Sequence, residues 1–245
     1  MIRHIKSLYG ENLGASDGEI GHVQDVLFDD QCWVVRYLVA DTGNWIPGRQ
    51  VLLSPYAFTP IEQRGKILTV NLTRRQIEES PSLESHHPVS RQYEEMFYMY
   101  YGWPFYWQGT GLWGMSNYPA LVLPAAPLPP EASDEAKLDV EARSDAHLQS
   151  VKAISGYQVY SYEDSVGHVT DFLMDERNWA INHLVVDTRY LLPGRKVLIA
   201  PQQIKRISHE DSRIFMKVTK DAILQAPDYD PSSVTGVRKS PGTHQ

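Results

Sequence analysis

Two stretches of the chain carry nearly the same sequence: IGHVQDVLFDDQCWVVRYLVADTGNWIPGRQVLLSP at residues 20–55 and VGHVTDFLMDERNWAINHLVVDTRYLLPGRKVLIAP at residues 166–201. They align at a constant offset of 146 residues without a gap, with 17 identities in 36 positions. Weaker matches at the same offset extend the repeat to residues 5–81 and 151–227. This period is far longer than the roughly 20–50 residues of solenoid repeats. The sequence therefore predicts a tandem pair of domains built from one duplicated module.

The duplication shows which residues two copies of the module have kept. Retention in both copies indicates that a position mattered to the common ancestor or to the fold, but it does not separate a structural role from a functional one. The shared positions include Gly21/Gly167, His22/His168, Asp25/Asp171, Asp29/Asp175, Trp33/Trp179, Asp41/Asp187, Pro47/Pro193, Gly48/Gly194 and Arg49/Arg195.

The pattern inside each module is typical of short strands. Residues 22–29 alternate loosely between polar and apolar, and Trp33 to Ala40 is rich in aromatic and β-branched residues, as is its counterpart 179–186. Further short strands are predicted at 49–53 and 66–72, with a Pro47-Gly48 turn before the first of them. Thr73 and Thr219 are predicted to cap short closing helices at 74–79 and 220–225. Five or six short strands in this length predict a small barrel or rolled sheet.

These residues resemble the PRC-barrel family, which is named after the H subunit of the photosynthetic reaction centre. The resemblance is carried by G-x-V-x-D-x-x-x-D, then W-x-V-x-x-L-V-x-D-T, then P-G-R-x-V-L, and it covers about two thirds of the chain. The family's barrel is also similar to the C-terminal domain of the ribosome maturation factor RimM. The second copy departs from the first at 189–191, where Arg-Tyr-Leu replaces Gly-Asn-Trp.

The resemblance implies a mainly β fold with two small PRC-type barrels, each with a short C-terminal helix, joined by an aromatic-rich and partly helical linker. We expect a first domain at 1–81, a linker at 82–150, a second domain at 151–227 and a flexible tail at 228–245. The linker carries nine Asp and Glu against three Lys and Arg, so it holds most of the chain's net charge of −7. Its second part, 119–150, is rich in Pro, Ala and acids and is predicted to be a mobile spacer.

The first part of the linker holds 11 of the chain's 26 aromatic residues, between Tyr93 and Tyr118. A helix is predicted from Val89 to Tyr101, ending at Gly102-Trp103-Pro104. One interpretation is a strap that covers the outer faces of the barrels, whose cores are small. The other is a docking surface for a partner protein or a second copy, because Tyr and Trp are enriched at interfaces. Membrane contact is a third alternative, although the segment lacks the Lys and Arg that favour anionic lipid. The candidate interaction residues are Tyr98, Tyr101, Trp103, Phe105, Trp107 and Trp113.

Composition excludes several classes of protein. The net negative charge argues against direct nucleic-acid binding. A single cysteine, Cys32, excludes an internal disulfide framework and a multi-cysteine metal site. No apolar run reaches the 18 or more residues that a spanning helix needs, and the opening MIRHIK has no apolar stretch. We therefore expect a cytoplasmic protein, with peripheral membrane association left open.

Motifs that could bind cofactors or metals have weak support. The run from Gly109 to Gly114 fits G-x-G-x-x-G, but no βαβ unit surrounds it, so we predict no cofactor. Adjacent His86 and His87 are interpreted as loop residues, and we predict no metal. His22 and His168 are interpreted as hydrogen-bonded structural residues.

The polar positions retained in both copies are interpreted as structural. Asp41 and Asp187 precede the Pro-Gly-Arg turn, and Arg49 and Arg195 follow it. We expect each Arg to pair with these aspartates, or with Asp29 and Asp175, as a clasp, with anion or partner binding as the alternative. Trp33 and Trp179 are the aromatic members of the same retained set.

No retained nucleophile lies beside a base, and no pair of carboxylates has split environments, so we predict no catalytic residues and no enzyme activity. The leading hypothesis is a protein-interaction, scaffolding or regulatory module. By similarity to the H subunit, it would lie at the periphery of a photosynthetic or other membrane electron-transfer complex. The alternatives are a small-ligand or metal sensor that uses the barrel mouths, and a ribosome-associated assembly role by similarity to RimM.

Overall fold

A computed structural model describes residues 1–47, 49–58, 67–84, 89–120, 147–162, 164–188, 195–226 and 228–230. The protein is mainly β, with a sheet that curls into a half-barrel. The predicted fold class is confirmed at this level.

The strands are short apart from two long ones of 12 residues each. They are β1 (Ile2–His4), β2 (Asn12–Ala15), β3 (Gly18–Asp29), β4 (Val34–Asp41), β5 (Arg49–Leu53), β6 (Leu68–Thr69), β7 (Leu83–Glu84), β8 (Leu148–Ser150), β9 (Gln158–Ser161), β10 (Asp164–Asp175), β11 (Ala180–Asp187), β12 (Lys196–Ile199), β13 (Ile204–Ser208) and β14 (Arg213–Met216). The α-helices are α1 (Arg74–Glu78), α2 (Arg91–Tyr101), α3 (Val151–Ile154) and α4 (Lys220–Leu224), and 3-10 turns lie at Ile5–Leu8, Pro55–Ala57 and Pro201–Gln203.

The chain divides into two compact units that do not coincide with the two contiguous repeats. The central unit is Glu11–Gln149, and the C-terminal unit combines Met1–Gly10 with Ser150–Gln245. The domain bounds expected from sequence, 1–81 and 151–227, therefore differ from the compact units. Met1–Gly10 groups with the C-terminal unit, and the stretch from residue 82 to Gln149 groups with the central unit.

In the central unit, the strand order is β4-β3-β2-β6, with β5 on β4 and β7 on β5. The buried residues of β3 include Val23 and Val26, and a register shift between Val23 and Asp25 keeps both on the inner face although they are three residues apart. Strand β4 is buried almost throughout because the aromatic segment described below covers its other face.

In the C-terminal unit, the strand order is β13-β14-β9-β10-β11, with β12 on β11. Strand β14 runs parallel to β9, and the other pairings are antiparallel. The order matches that of the central unit, because β9, β10 and β11 correspond to β2, β3 and β4 at the 146-residue offset.

The difference between repeats and units arises from an exchange of short strands. The C-terminal end of β10 pairs with β1, in the register Ile2 to Asp175. Strand β3 pairs instead with β8, the counterpart of β1 in the second repeat. Each long strand therefore pairs with the short strand that precedes the other repeat in the chain.

Equivalent contacts fix the exchanged strands in the two units. In the C-terminal unit, Arg3 Nη1 donates to Glu176 Oε1 at 3.2 Å. In the central unit, Gln149 Nε2 donates to Asp30 Oδ2 at 2.8 Å, at the equivalent positions. The Asp30 N–H also donates to the His147 carbonyl at 3.1 Å.

Two retained pairs build the hairpin turn between the long strand and the next one. The N–H of Trp33 donates to the Asp29 carbonyl at 2.7 Å, and Trp179 makes the same bond to Asp175 at 2.7 Å. Both tryptophans have positive φ, 55° and 61°, which is uncommon for a residue other than glycine. The side chain of Asp29 also accepts the Gln31 N–H at 2.9 Å. Retention of these positions is thus explained by turn geometry.

The charge of Asp175 is expected to stabilise the C-terminal unit in a pH-dependent way. The side chain of Arg177 donates to Asp175, which lowers the pKa of this buried carboxyl despite the opposing effect of burial. Because the folded pKa lies below the unfolded one, the stabilisation is present above the unfolded pKa, about 3.9, and is lost as the pH falls.

Asp175→Asn keeps an oxygen for the Arg177 N–H and removes only the charge. Its urea midpoint should fall below that of the wild type at pH 7, and the difference should shrink progressively toward pH 3. A difference that stays constant across this range would show that the charge of Asp175 does not contribute.

The closing helices expected at 74–79 and 220–225 are present as α1 and α4. The hydroxyl of Thr73 accepts the Gln76 N–H at 3.2 Å, and Thr219 accepts the Ala222 N–H at 3.3 Å. These are the N-caps that the sequence indicates.

Candidate interaction surface

The aromatic segment, residues 91–118, packs against β4 and the Pro55–Ala57 turn of the central unit. Its inner side chains form one buried group with Tyr37 of β4 and Tyr56 of the turn. The buried members are Tyr37, Tyr56, Tyr93, Phe97, Tyr98, Trp103, Tyr106 and Trp113. Helix α2 starts at the N-cap Ser90 and ends at Gly102, whose left-handed φ of 66° turns the chain back over the sheet.

Tyr98 lies at the centre of this group and is fully buried. Its ring contacts those of Trp103 at 6.0 Å and Tyr106 at 5.8 Å, both edge to face. Tyr56 makes the same kind of contact with Trp113 at 5.1 Å. Aromatic pairs of this geometry stabilise a core beyond their buried area, by about 0.5–1.5 kcal/mol each.

The G-x-G-x-x-G run forms a tight backbone turn. The Gly111 N–H donates to the Gly114 carbonyl at 2.8 Å, and Trp113 donates to the Ser116 carbonyl at 2.8 Å. A Cβ on Gly109 would lie 2.7 Å from the Gly114 carbonyl group. The close approach of these two backbone segments therefore requires glycine at position 109. The glycines serve to place Trp113 in the core.

A buried carboxylate anchors α2. Glu94 has no exposed surface, and its Oε1 accepts the hydroxyls of Tyr37 and Tyr106, both at 2.9 Å. Its Oε2 lies 3.0 Å from Nη1 of Arg91 and 3.1 Å from Nε2 of His147. Contacts from α2 itself, from β4, from the loop after α2 and from the residue before β8 therefore meet at the Glu94 side chain.

A buried guanidinium extends this network toward the hairpin turn. Arg36 on β4 is 1% exposed and donates to Asp29 at 3.2 Å and to the Leu112 carbonyl at 2.6 Å. It lies over the Tyr106 ring, 3.7 Å from the centroid. Two carboxylates, Asp29 and Glu94, are thus balanced by two guanidiniums, as burial of charge requires.

The tyrosines around Glu94 are held as neutral donors. Burial, reinforced by the charge of Glu94, raises the pKa of Tyr37 and of Tyr106 well above the usual value. Burial also raises the pKa of Tyr56 to about 12. These hydroxyls keep their protons at physiological pH, so the arrangement serves to hold the segment in place.

The outer face of the segment exposes large apolar side chains. On α2, Met96, Met99 and Tyr100 are 49%, 64% and 40% exposed. Their i, i+3, i+4 spacing places them together on one side of the helix. Met115 and Tyr118, 88% and 51% exposed, lie in the loop that follows.

The structure separates the six aromatic candidates named from sequence. Tyr98, Trp103 and Trp113 are buried inside the central unit. The other three, Tyr101, Phe105 and Trp107, are half-buried. The methionines of the outer face were missed by sequence reasoning, although Met96 and Met99 are spaced as neighbours on a helix.

Two of the retained polar residues, Asp41 and Arg195, have the following partners. Asp41 Oδ2 lies 3.6 Å from Nε2 of His22, and Oδ1 accepts the Gly43 N–H. The guanidinium of Arg195 pairs with Asp228 and donates to the Ala226 carbonyl. The side chain of Arg49 lies outside the described part of the structure.

In the C-terminal copy, Thr188 is hydrogen-bonded to the backbone of Arg195. The backbone carbonyl of Arg195 accepts both the N–H and the hydroxyl of Thr188, at 3.0 Å each. Asp187, just before it, is buried, as is Trp179.

Metal and membrane features can be assessed for the described ranges only. There, no group of three or more His, Cys, Asp or Glu side chains is arranged to hold a metal ion. His86 and His87 lie outside these ranges. No helix in the described part of the chain is long and apolar enough to cross a membrane.

Comparison with known proteins gives no match: no protein-family model matches the chain, and no curated protein does either.

Proposed function

We propose that this chain is a non-enzymatic, tandem PRC-barrel-like protein that binds another protein through the outer face of α2. The duplicated sequence pattern and the mainly β, curled sheet are consistent with two such modules. The single observation that carries the binding role is the Met96, Met99 and Tyr100 face. The opposite face of the same helix is held against β4 by the buried carboxylate of Glu94.

Several properties of this face support a protein partner. An apolar patch rimmed by polar residues is typical of interaction sites, and methionine adapts to varied partner shapes. Arg75 and Glu79 of α1 form an exposed ion pair at 2.8 Å, and Tyr100 donates to the neighbouring Gln76 carbonyl at 2.9 Å. The only cation of α2, Arg91, is engaged by Glu94, so the helix offers no free cation to anionic lipid.

The test is the double variant Met96→Glu/Met99→Glu. Two charges on the face should reduce capture of the partner from the native cells by about tenfold or more, because apolar contacts at an interface centre dominate its energy. The thermal unfolding midpoint should change little, since both side chains are exposed. Capture is quantified by mass spectrometry, and sedimentation of the purified chain reports whether the partner is a second copy.

The control is Asn44→Glu/Gln202→Glu, which adds the same charge at exposed positions outside α2. Capture by the control should equal that of the wild type. A folded Met96→Glu/Met99→Glu variant that keeps every partner would exclude the α2 face as the binding surface.

A further inference from the structure

A second surface lies on the outer face of the C-terminal unit, where basic and aromatic side chains alternate across three strands. In the register, Arg206 on β13 lies opposite Phe215 on β14, and Phe215 lies opposite Tyr160 on β9. Arg213 lies two residues before Phe215 on the same face. We call these four residues the Arg–aromatic cluster.

The rings hold the guanidinium groups in place. The Cζ atom of Arg206 lies over the Phe215 ring, 3.9 Å from its centroid. Arg213 lies over Tyr160 at 4.8 Å, and the two ring centroids are 6.0 Å apart. A guanidinium stacked on a ring loses little further entropy on binding, and its N–H edge remains available to a carboxylate.

The two arginines have no acidic partner of their own within the described residues. Among the residues that the structure describes, none forms an ion pair with Arg206 or Arg213, whereas Lys220 pairs with Asp164 at 3.6 Å and Arg195 pairs with Asp228. The charges of the cluster are therefore available to a ligand.

The first copy of the module shows that the fold does not need this cluster. The counterparts of Arg206, Tyr160, Phe215 and Arg213 are Pro60, Gly14, Thr69 and Ile67. The inward positions of the same strands stay apolar in both copies, with Ile214 and Val159 matching Leu68 and Leu13. A cluster absent from one of two copies of the fold requires an explanation other than folding.

We propose that the Arg–aromatic cluster binds an extended acidic segment of a partner protein, with carboxylates two residues apart. Guanidinium groups bind carboxylates through paired, charge-assisted hydrogen bonds. Arg206 and Arg213 are diagonal neighbours on adjacent strands, a relation that places Cα atoms roughly 7–8 Å apart. Alternate residues of an extended chain are spaced by about 6.8 Å, which matches. The proposal deepens the interaction role proposed above and rests on it for the biological partner.

The observations favour an acidic protein segment over single-stranded nucleic acid. Binding of single strands relies on open aromatic faces on which bases stack, and here each ring already carries a guanidinium. Further cations lie nearby, because Lys205 and Lys220 line an open cavity of about 590 Å³ with Ser161, Tyr162 and Asp164.

The experiment measures binding of a fluorescein-labelled peptide of alternating Glu and Thr to the full chain by fluorescence anisotropy. We expect saturable binding that weakens with salt, and no binding of the matched Gln and Thr peptide. Arg206→Gln/Arg213→Gln should weaken binding about tenfold or more, as loss of paired charges does. Arg206→Lys/Arg213→Lys should still weaken binding of the acidic peptide about fivefold, because lysine lacks the planar guanidinium that pairs with both oxygens of a carboxylate. The control Lys6→Gln/Arg75→Gln removes two exposed cations elsewhere and should bind like the wild type.

Several outcomes would overturn the proposal: no binding of the acidic peptide by the wild type, full binding by the lysine variant, or tighter binding of an oligo-dT strand that the glutamine variant loses. Failure here is distinguishable from failure of the proposed function. If the glutamine variant captures every cellular partner while the α2 face variant captures none, the interaction role stands and the acidic-segment assignment falls.

Discussion

Replacing Gly21 by alanine is expected to unfold the central unit or to destabilise it by about 4 kcal/mol, at the upper end of single substitutions. A Cβ at Gly21 would lie 1.9 Å from the carbonyl oxygen of Asp41, which is backbone and cannot rotate away. Gly167 is the same case, with 2.1 Å to the Asp187 oxygen. Relief of either overlap requires the long strand to separate from its neighbour, in the pairs His22 to Asp41 and His168 to Asp187.

The two glycine variants can be told apart by fluorescence during urea unfolding. Five of the six tryptophans lie in the central unit, and Trp179 lies in the C-terminal unit. Gly21→Ala should therefore shift most of the tryptophan emission, whereas Gly167→Ala should change mainly the small fraction that comes from Trp179.

The control for backbone strain alone is Gly43→Ala. Gly43 has φ of 57°, and nothing lies within 4 Å of a Cβ there. Gly43→Ala should lower the free energy of unfolding by only about 1–2 kcal/mol, the penalty of the left-handed conformation for alanine. If Gly21→Ala were no more destabilising than Gly43→Ala, the close approach to Asp41 would not be the reason for the retained glycine.

The retained residues were the part of the fold that the sequence could indicate. With two copies in one chain, Gly21, Asp29 and Trp33 stand out without any alignment, and each now has a backbone reason. The strands and closing helices follow from local patterns of β-branched residues and N-caps. Such local signals predict elements well because the elements are defined by neighbouring residues.

The strand exchange could not be predicted from the sequence, because it depends on pairing between distant residues and not on local patterns. Strands β1 and β8 are three residues each, IRH and LQS, too short to show an alternating pattern. The pairing of Ile2 with Asp175 joins residues far apart in the chain. Pairing at such separation is decided by which edge of a long strand is left open, and local sequence does not carry that information.

The buried network was missed because charged residues are usually expected at the surface. A signal nevertheless existed in the comparison of copies. Arg36, Tyr37 and Tyr56 correspond to Asn182, His183 and Gln202, so these three positions, which contact the aromatic segment, differ between the copies. In the first copy these positions contact the segment that follows it in the chain, at residues 91–118.

Glu94→Ala is expected to destabilise the central unit by about 3–5 kcal/mol, the cost of removing one partner from a buried ion pair. The change would leave Arg91 and His147 without their carboxylate, and the hydroxyl of Tyr37 without its acceptor. Glu94→Gln keeps the shape and one acceptor oxygen but removes the charge, so its cost should be intermediate. Urea unfolding followed by tryptophan emission measures both.

Two variants separate the buried charge from general effects on the helix. Glu95→Gln removes a carboxylate at the next, partly exposed position of α2 and should change stability by less than about 0.5 kcal/mol. Tyr37→Phe removes one of the donors to Glu94 and should cost about 1 kcal/mol. Equal stability of Glu94→Ala and Glu95→Gln would mean that the network does not anchor the helix.

The same carboxylate links stability to the proposed binding role. Met96 and Met99 can form a defined surface only while α2 is held against the sheet. Glu94 joins that helix to β4 through Tyr37 and to His147, the residue before β8. Glu94→Gln should therefore reduce partner capture even under conditions in which the chain remains folded, although residue 94 itself has no exposed surface. Limited proteolysis between Gly102 and Tyr118 should be faster in this variant, because release of α2 frees the loop that follows it. Loss of capture without faster cleavage would indicate that Glu94 acts on binding by a route other than anchoring the helix.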